Sequence, residues 1–116
     1  MAEKARKPLK RALGLFARAP IPGQVKTRLA PALTPEGTTA LYRCFLLDMV
    51  GLAMMVRSWE TIIFYTPAKA RRVLRDMVKE PLELISQSRG DLGERMSQAF
   101  QELFARGHRL AVIIGG

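Results

Sequence analysis

Short unbroken apolar runs alternate along this chain with longer segments whose apolar positions recur every three or four residues. These are the marks of buried strands and of helices with one covered face. The first run, Leu13 to Ala17, leads into Pro20, Pro22 and Gly23 and reads as a strand leaving a sheet into a loop. Thr34, Pro35 and Glu36 then supply an N-cap, a first-position proline and a first-turn acid, so a long helix rich in Ala, Leu and Met is predicted to about Arg57. Trp59 to Thr66, dense in β-branched and aromatic residues, predicts a second strand. Thr66 and Pro67 repeat the cap-and-proline signal before a helix over Ala68 to Lys79. Leu82 to Ser86 gives a shorter third strand. Asp91 can cap a helix running through Arg106, with Leu92, Met96, Phe100, Leu103 and Phe104 at helical spacing and Gly107 at its end. Leu110 to Ile114, apolar at every position, predicts a strand buried on both faces.

Strand and helix alternate throughout, so the expected fold is α/β, a Rossmann-like doubly wound parallel sheet with crossover helices. Such sheets bind ligands at the carboxyl ends of their strands. The segments Arg18 to Arg28, Gln87 to Arg95 and Gly115 to Gly116 therefore carry the functional interest. A chain of 116 residues holds one core, expected over 12–116 behind a basic tail at 1–11. Apolar residues at 48% and charged residues at 25% describe an ordinary globular domain.

The longest apolar run, Cys44 to Val56, is interrupted by Asp48 and too short for a bilayer. Ala12 to Ala17, closed by Arg18, is too short for a signal peptide. No membrane span is predicted, and a cytoplasmic location is expected. The single cysteine, Cys44, has no disulfide partner within the chain and is expected to be an inert core thiol beside Phe45, Leu46 and Leu47. Asp48 is expected to need a hydrogen-bonding partner within that run. Met49, Met54 and Met55 are expected to fill the core.

Charge changes the picture. Nineteen lysines and arginines against ten acids give a net charge of +9, which favours a polyanionic partner or a phosphate-bearing ligand. Five of the basic residues lie in 1–11, beside one acid, where a solubilising tail is the commoner role. Within the first loop, Arg18, Lys26 and Arg28 fall in one excursion with Gly23 at its turn. Lysine offers a point charge, arginine a bidentate fork, and glycine lets backbone N–H groups approach an anion, so the loop suits a di- or triphosphate better than plain solvent. It is not a P-loop, because Val25 precedes Lys26 and Thr27 where that motif has glycine. Nor does it carry the three-glycine dinucleotide fingerprint.

The segment Gly90-Asp91-Leu92-Gly93-Glu94-Arg95 opens a helix with two carboxylates and an arginine. From spacing alone a capping box, with Asp91 accepting from the Glu94 backbone and Arg95 on the solvated face, is favoured over a ligand site. His108 has no second histidine or cysteine beside it and is expected at the surface or against a helix C-terminus.

Taken together, LFARAPIPGQVKTRLAPALTPEGTTALYRCFL, GDLGERMSQAF and LAVIIG resemble a bacterial family of uncharacterised glycosyltransferase-like proteins. Its members are similar to nucleotide-diphospho-sugar transferases of the A-type fold and to the guanylyltransferases of molybdopterin and coenzyme biosynthesis. The likeness runs from Ala12 to Gly116. It implies a nucleotide-binding part in which Lys26, Thr27 and Arg28 lie near the phosphates and Gly90, Asp91, Gly93, Glu94 and Arg95 line the same pocket. Arg18 and Gly23 join these on the loop reading. No catalytic residue is assigned.

In the family the last strand leads into an aspartate that holds a divalent metal, Mg or Mn, and then into an acceptor-binding half. Neither lies within this sequence, so an N-terminal part without a cofactor or metal site of its own, inactive by itself, is expected. If the fourth strand lies beside the first, its outer edge would be bare and would invite a homodimer. The expected partner is a nucleotide or nucleotide-sugar, with glycosyl transfer as the leading activity and nucleotidyl transfer as the alternative. A basic, non-enzymatic nucleic-acid-binding module is disfavoured, because aromatics are only 7% and fall mostly at core positions.

Overall fold

The computed structural model describes residues 10–22 and 33–115. Four strands, β1 (Arg11–Arg18), β2 (Glu60–Thr66), β3 (Glu83–Ser86) and β4 (Leu110–Gly115), alternate with helices α1 (Pro35–Met54), α2 (Arg71–Met77) and α3 (Leu92–Ala105). A 3₁₀ turn, Ala68–Ala70, leads into α2. The strands form one parallel sheet in the order β3-β2-β1-β4. The α/β fold expected from the sequence is the fold observed.

Alternation along the strands sends side chains to two cores. Leu15, Ala17, Ile63, Tyr65 and Leu84 meet Tyr42, Leu46, Val50 and Ala53 of α1 and Leu74 and Met77 of α2. On the opposite face Ala12, Phe16, Ile62 and Phe64 meet Ala99 and Leu103 of α3. A Cβ on Gly14 would lie 3.2 Å from both Ile113 and Phe64, so the missing side chain there makes room for the Phe64 ring.

The two sheet edges differ. The Gln87 N–H donates to the Tyr65 carbonyl of β2, so by alternation the Leu84 carbonyl points away from β2. Arg71 of α2 donates to that carbonyl at 2.7 Å, and Arg75 to the Leu82 carbonyl. These arginines occupy acceptors that would otherwise template another strand. At the other edge β4 pairs with β1, as anticipated, and its outer side is unpaired among the described residues.

Several expectations about burial are corrected. β4 is not buried on both faces: Leu110, Val112 and Ile114 are all more than a third exposed, because α3 covers only the face carrying Ala111 and Ile113. Cys44 is exposed, as are Phe45 and Leu47. In α1 the covered stripe runs through Tyr42, Leu46 and Val50, and a helix of 3.6 residues per turn swings Cys44 off it. The same geometry leaves Asp48 in solvent with no need of a partner, and exposes Met54 and Met55, while Met49 is half-buried. Thr66 makes no side-chain cap; Pro67 precedes the 3₁₀ turn, and the expected single helix is divided.

His108 is buried, not at the surface. Its Nδ1 faces the Leu103 carbonyl at the end of α3 at 2.9 Å and its Nε2 faces Glu60 Oε1 at 2.7 Å. The helix-terminus role held, but the ring also ties α3 and β4 to the start of β2. One histidine isolated in sequence gave no sign of that third partner.

Candidate functional site

In a parallel sheet every strand delivers its next loop to the same edge. Arg18 ends β1 there, Gln87 to Asp91 follow β3, and Gly115 ends β4. The change from the series β1, β2, β3 to β4 on the other flank puts the topological switch between β1 and β4. Arg18, exposed at this edge, heads the chain into the loop predicted to bind phosphate. Gly23, Lys26, Thr27 and Arg28 lie outside the described residues. The chain enters that segment after Pro22 and resumes at Leu33, just before α1.

The exit from β1 is anchored from below by α1. The Arg18 N–H donates to the Tyr42 hydroxyl at 2.9 Å, and the Ala19 N–H to the Thr66 carbonyl at 2.8 Å. Burial, the largest cause, raises the Tyr42 pKa; the Arg18 N–H and its positive charge partly oppose it. With the folded value above the unfolded one, the tyrosine's contribution to stability is present below about pH 10 and is lost as pH rises through the folded value. Tyr42→Phe is therefore expected to cost about 1–3 kcal/mol at neutral pH by stranding the Arg18 donor. Its melting temperature should also fall less between about pH 9 and 11 than that of the parent chain. Parallel melting curves across that range would contradict the assignment.

The second segment has two parts with different work. Asp91 and Glu94 form the capping box: Asp91 Oδ1 accepts from the Glu94 N–H at 2.8 Å, and Glu94 Oε1 from the Asp91 N–H at 3.2 Å. Gly90 takes φ +114°, and a Cβ there would sit 2.9 Å from Glu94 Cδ, so the turn into the cap needs glycine. Gly93 is in the first turn of α3 with Asp91 Oδ1 3.4 Å from where its Cβ would be. Both carboxylates are thus engaged in starting the helix.

Arg95 does not lie on the solvated face. It is half-buried, its Nη1 donating to Gln87 Oε1 at 2.7 Å and its Nε to the Asp91 carbonyl at 3.4 Å. Gln87 is held in turn, its backbone N–H on the Tyr65 carbonyl at 2.7 Å and its Nε2 on the Phe64 carbonyl at 2.9 Å. One glutamine therefore extends the β2–β3 ladder past the end of β3 and fixes an arginine at the carboxyl edge. Sequence reasoning bounded this segment with Gln87 but gave it no role, since a glutamine after a strand has no spacing signature.

Between β3 and α3 lies a cavity of about 240 Å³ lined by Phe64, Ile85, Gln87, Ser88, Arg95 and Ala99, among others. The Ser88 hydroxyl is buried with no hydrogen-bond partner among the described residues. The divalent metal implied by the family resemblance has no donor set here: among the described residues no three His, Cys, Asp or Glu side chains come together. No described helix is long and apolar enough to cross a membrane.

Comparison with known proteins gives two matches. Residues 50–116 match the family described as "Uncharacterized protein conserved in bacteria (DUF2064)". Among solved structures, the "putative nucleotide-diphospho-sugar transferase" from Desulfovibrio desulfuricans G20 superposes with a TM-score of 0.82 at 31% identity over 93% of this chain. The chain spans 47% of that protein's length. Among curated proteins nothing matches.

Proposed function

We propose that this chain, which belongs to the bacterial family DUF2064, binds a nucleotide-diphospho-sugar at the carboxyl edge of its sheet as the nucleotide-binding part of a glycosyltransferase-like protein. The observation that carries the proposal is the strand order β3-β2-β1-β4, which sets the ligand crevice of a doubly wound sheet beside the end of β1. Arg18 stands at that place, and Lys26 and Arg28 follow in the loop that leaves it. The likeness to the Desulfovibrio protein supports the same reading.

In this scheme Arg18, Lys26 and Arg28 contact the diphosphate, Gly23 lets the backbone approach it, and the Thr27 hydroxyl offers it a hydrogen bond. Asp91, Gly93 and Glu94 build the helix start that carries Arg95 into the same site. The positive charge of the chain draws the anionic ligand in. Calorimetric titration of the full chain with UDP-glucose, GDP-mannose, the matching triphosphates and free glucose is the test. Saturable binding of a nucleotide-sugar, absent for the free sugar, is expected. Tighter binding of a triphosphate than of every nucleotide-sugar would favour nucleotidyl transfer, and no binding by any nucleotide would end the proposal.

A further inference from the structure

We infer that the amino edge of the sheet, opposite the ligand crevice, is a docking surface for an anionic phospholipid bilayer, with the end of α1 as its apolar tip. The inference does not depend on the nucleotide reading. A parallel sheet starts all its strands at one edge, so the connections that close each crossover gather there: 55–59 after α1, 78–82 after α2 and 106–109 after α3.

At the end of α1, Leu52, Met55 and Val56 are 66%, 75% and 42% exposed. Single exposed apolar residues are ordinary, but these three are spaced three and four apart and form one patch. Trp59 is half-buried and shares with Val56, Pro81 and Leu82 the lining of a cavity of about 430 Å³. The chain turns tightly here. The Met55, Val56 and Trp59 N–H groups donate to the Leu52, Ala53 and Val56 carbonyls at 3.1, 3.0 and 3.1 Å. These donors are already bonded, so moving the tip into a less polar region does not strand them.

Positive charge surrounds the tip. Arg57 follows it directly, and Lys10 before β1, Lys79 before β3 and Arg109 before β4 are all exposed. The Arg109 N–H donates to the Lys10 carbonyl at 2.8 Å, which holds two of these bases on adjacent strands. None of the four makes an ion pair among the described residues. The acids of this edge are mostly engaged within the fold: Glu60 faces His108, Glu83 is paired with Arg106, and Glu80 is half-buried.

An apolar centre within a basic rim complements an anionic leaflet, whose charged headgroups lie over acyl chains. Tryptophan favours that boundary. Duplex nucleic acid would meet the same charges but offer nothing to cover Leu52, Met55 and Val56, and a second copy would bring like charges together. No described helix is long and apolar enough to cross a bilayer, so this surface lies on one leaflet. The end of β1, with the crevice beside it, then faces the water.

The chain has one tryptophan, so its emission reports on the tip directly. The full chain is mixed with vesicles of phosphatidylcholine and phosphatidylserine, and with vesicles of phosphatidylcholine alone. It should sediment with the anionic vesicles, and the Trp59 emission should move to shorter wavelength. Leu52→Ser with Met55→Ser should weaken partitioning at least about tenfold, and Arg57→Gln with Lys79→Gln roughly twentyfold. All four side chains are exposed, so the melting temperatures of both double variants should stay near that of the parent. No binding to the anionic vesicles would overturn the proposal. So would binding that leaves the Trp59 emission in place and survives the double serine variant, or tighter binding of duplex DNA than of vesicles at the same salt concentration.

Discussion

Replacing Lys26 and Arg28 together by alanine is expected to weaken nucleoside diphosphate binding by about 100-fold or more while leaving the melting temperature of the chain nearly unchanged. Hydrogen bonds to charged groups contribute about 1.5–3 kcal/mol each, and two of them lost together amount to roughly two powers of ten or beyond in affinity. Both side chains are charged and belong to types that are almost never buried unless paired, so folding has little at stake. Both lie in the segment that departs after Pro22 and returns at Leu33, with its ends at the carboxyl edge of the sheet. Raising the salt concentration should weaken the parent chain's binding more than the variant's, because the variant has fewer charges to screen. Isothermal titration at two ionic strengths reads both effects; unchanged affinity in the double variant would remove the loop from the site.

Phe64→Ala is expected to be the most destabilising single substitution, at about 3–5 kcal/mol. For a domain whose total stability is about 5–15 kcal/mol, that approaches unfolding at body temperature. The ring is almost fully buried and packs on Phe16 with centroids 5.7 Å apart. Its neighbours are poor at refilling the space, since Gly14 offers no side chain and Ala12 and Ala99 only a methyl each. Urea denaturation should show a lower midpoint with an unchanged slope, because the surface exposed on unfolding is nearly the same. As a control, Phe104→Ala, whose ring is half-exposed beside Phe100, should cost well under half as much. A loss below about 1 kcal/mol for Phe64→Ala would mean that the sheet closes over the cavity, contrary to the packing density of protein cores.

The candidate site divides into contacts fixed by local spacing and contacts made across the fold. Asp91 and Glu94 were legible as a capping box because the bond between a helix N-cap and its third residue is local and fixed by spacing. The role of Arg95 was misplaced, because periodicity places a residue on a face but does not say what stands opposite. What stands opposite is Gln87, held by carbonyls of a strand more than twenty residues earlier. Tyr42 reaching the Arg18 backbone across 24 positions is of the same kind.

The order of strands and helices, the parallel sheet and the segments that follow its strands at the carboxyl edge were all legible in local pattern. Apolar period, cap residues and prolines act over a few positions, and the right-handed crossover rule converts their order into topology. Which apolar residues are covered was settled by packing between distant elements. Leu110 to Ile114 reads as the most buried run in the chain, yet it lies at an edge with one face under α3, and Cys44 sits in an apolar run yet faces solvent. Burial depends on what packs against a residue from elsewhere in the chain, and the spacing of a segment's own residues holds no record of that partner.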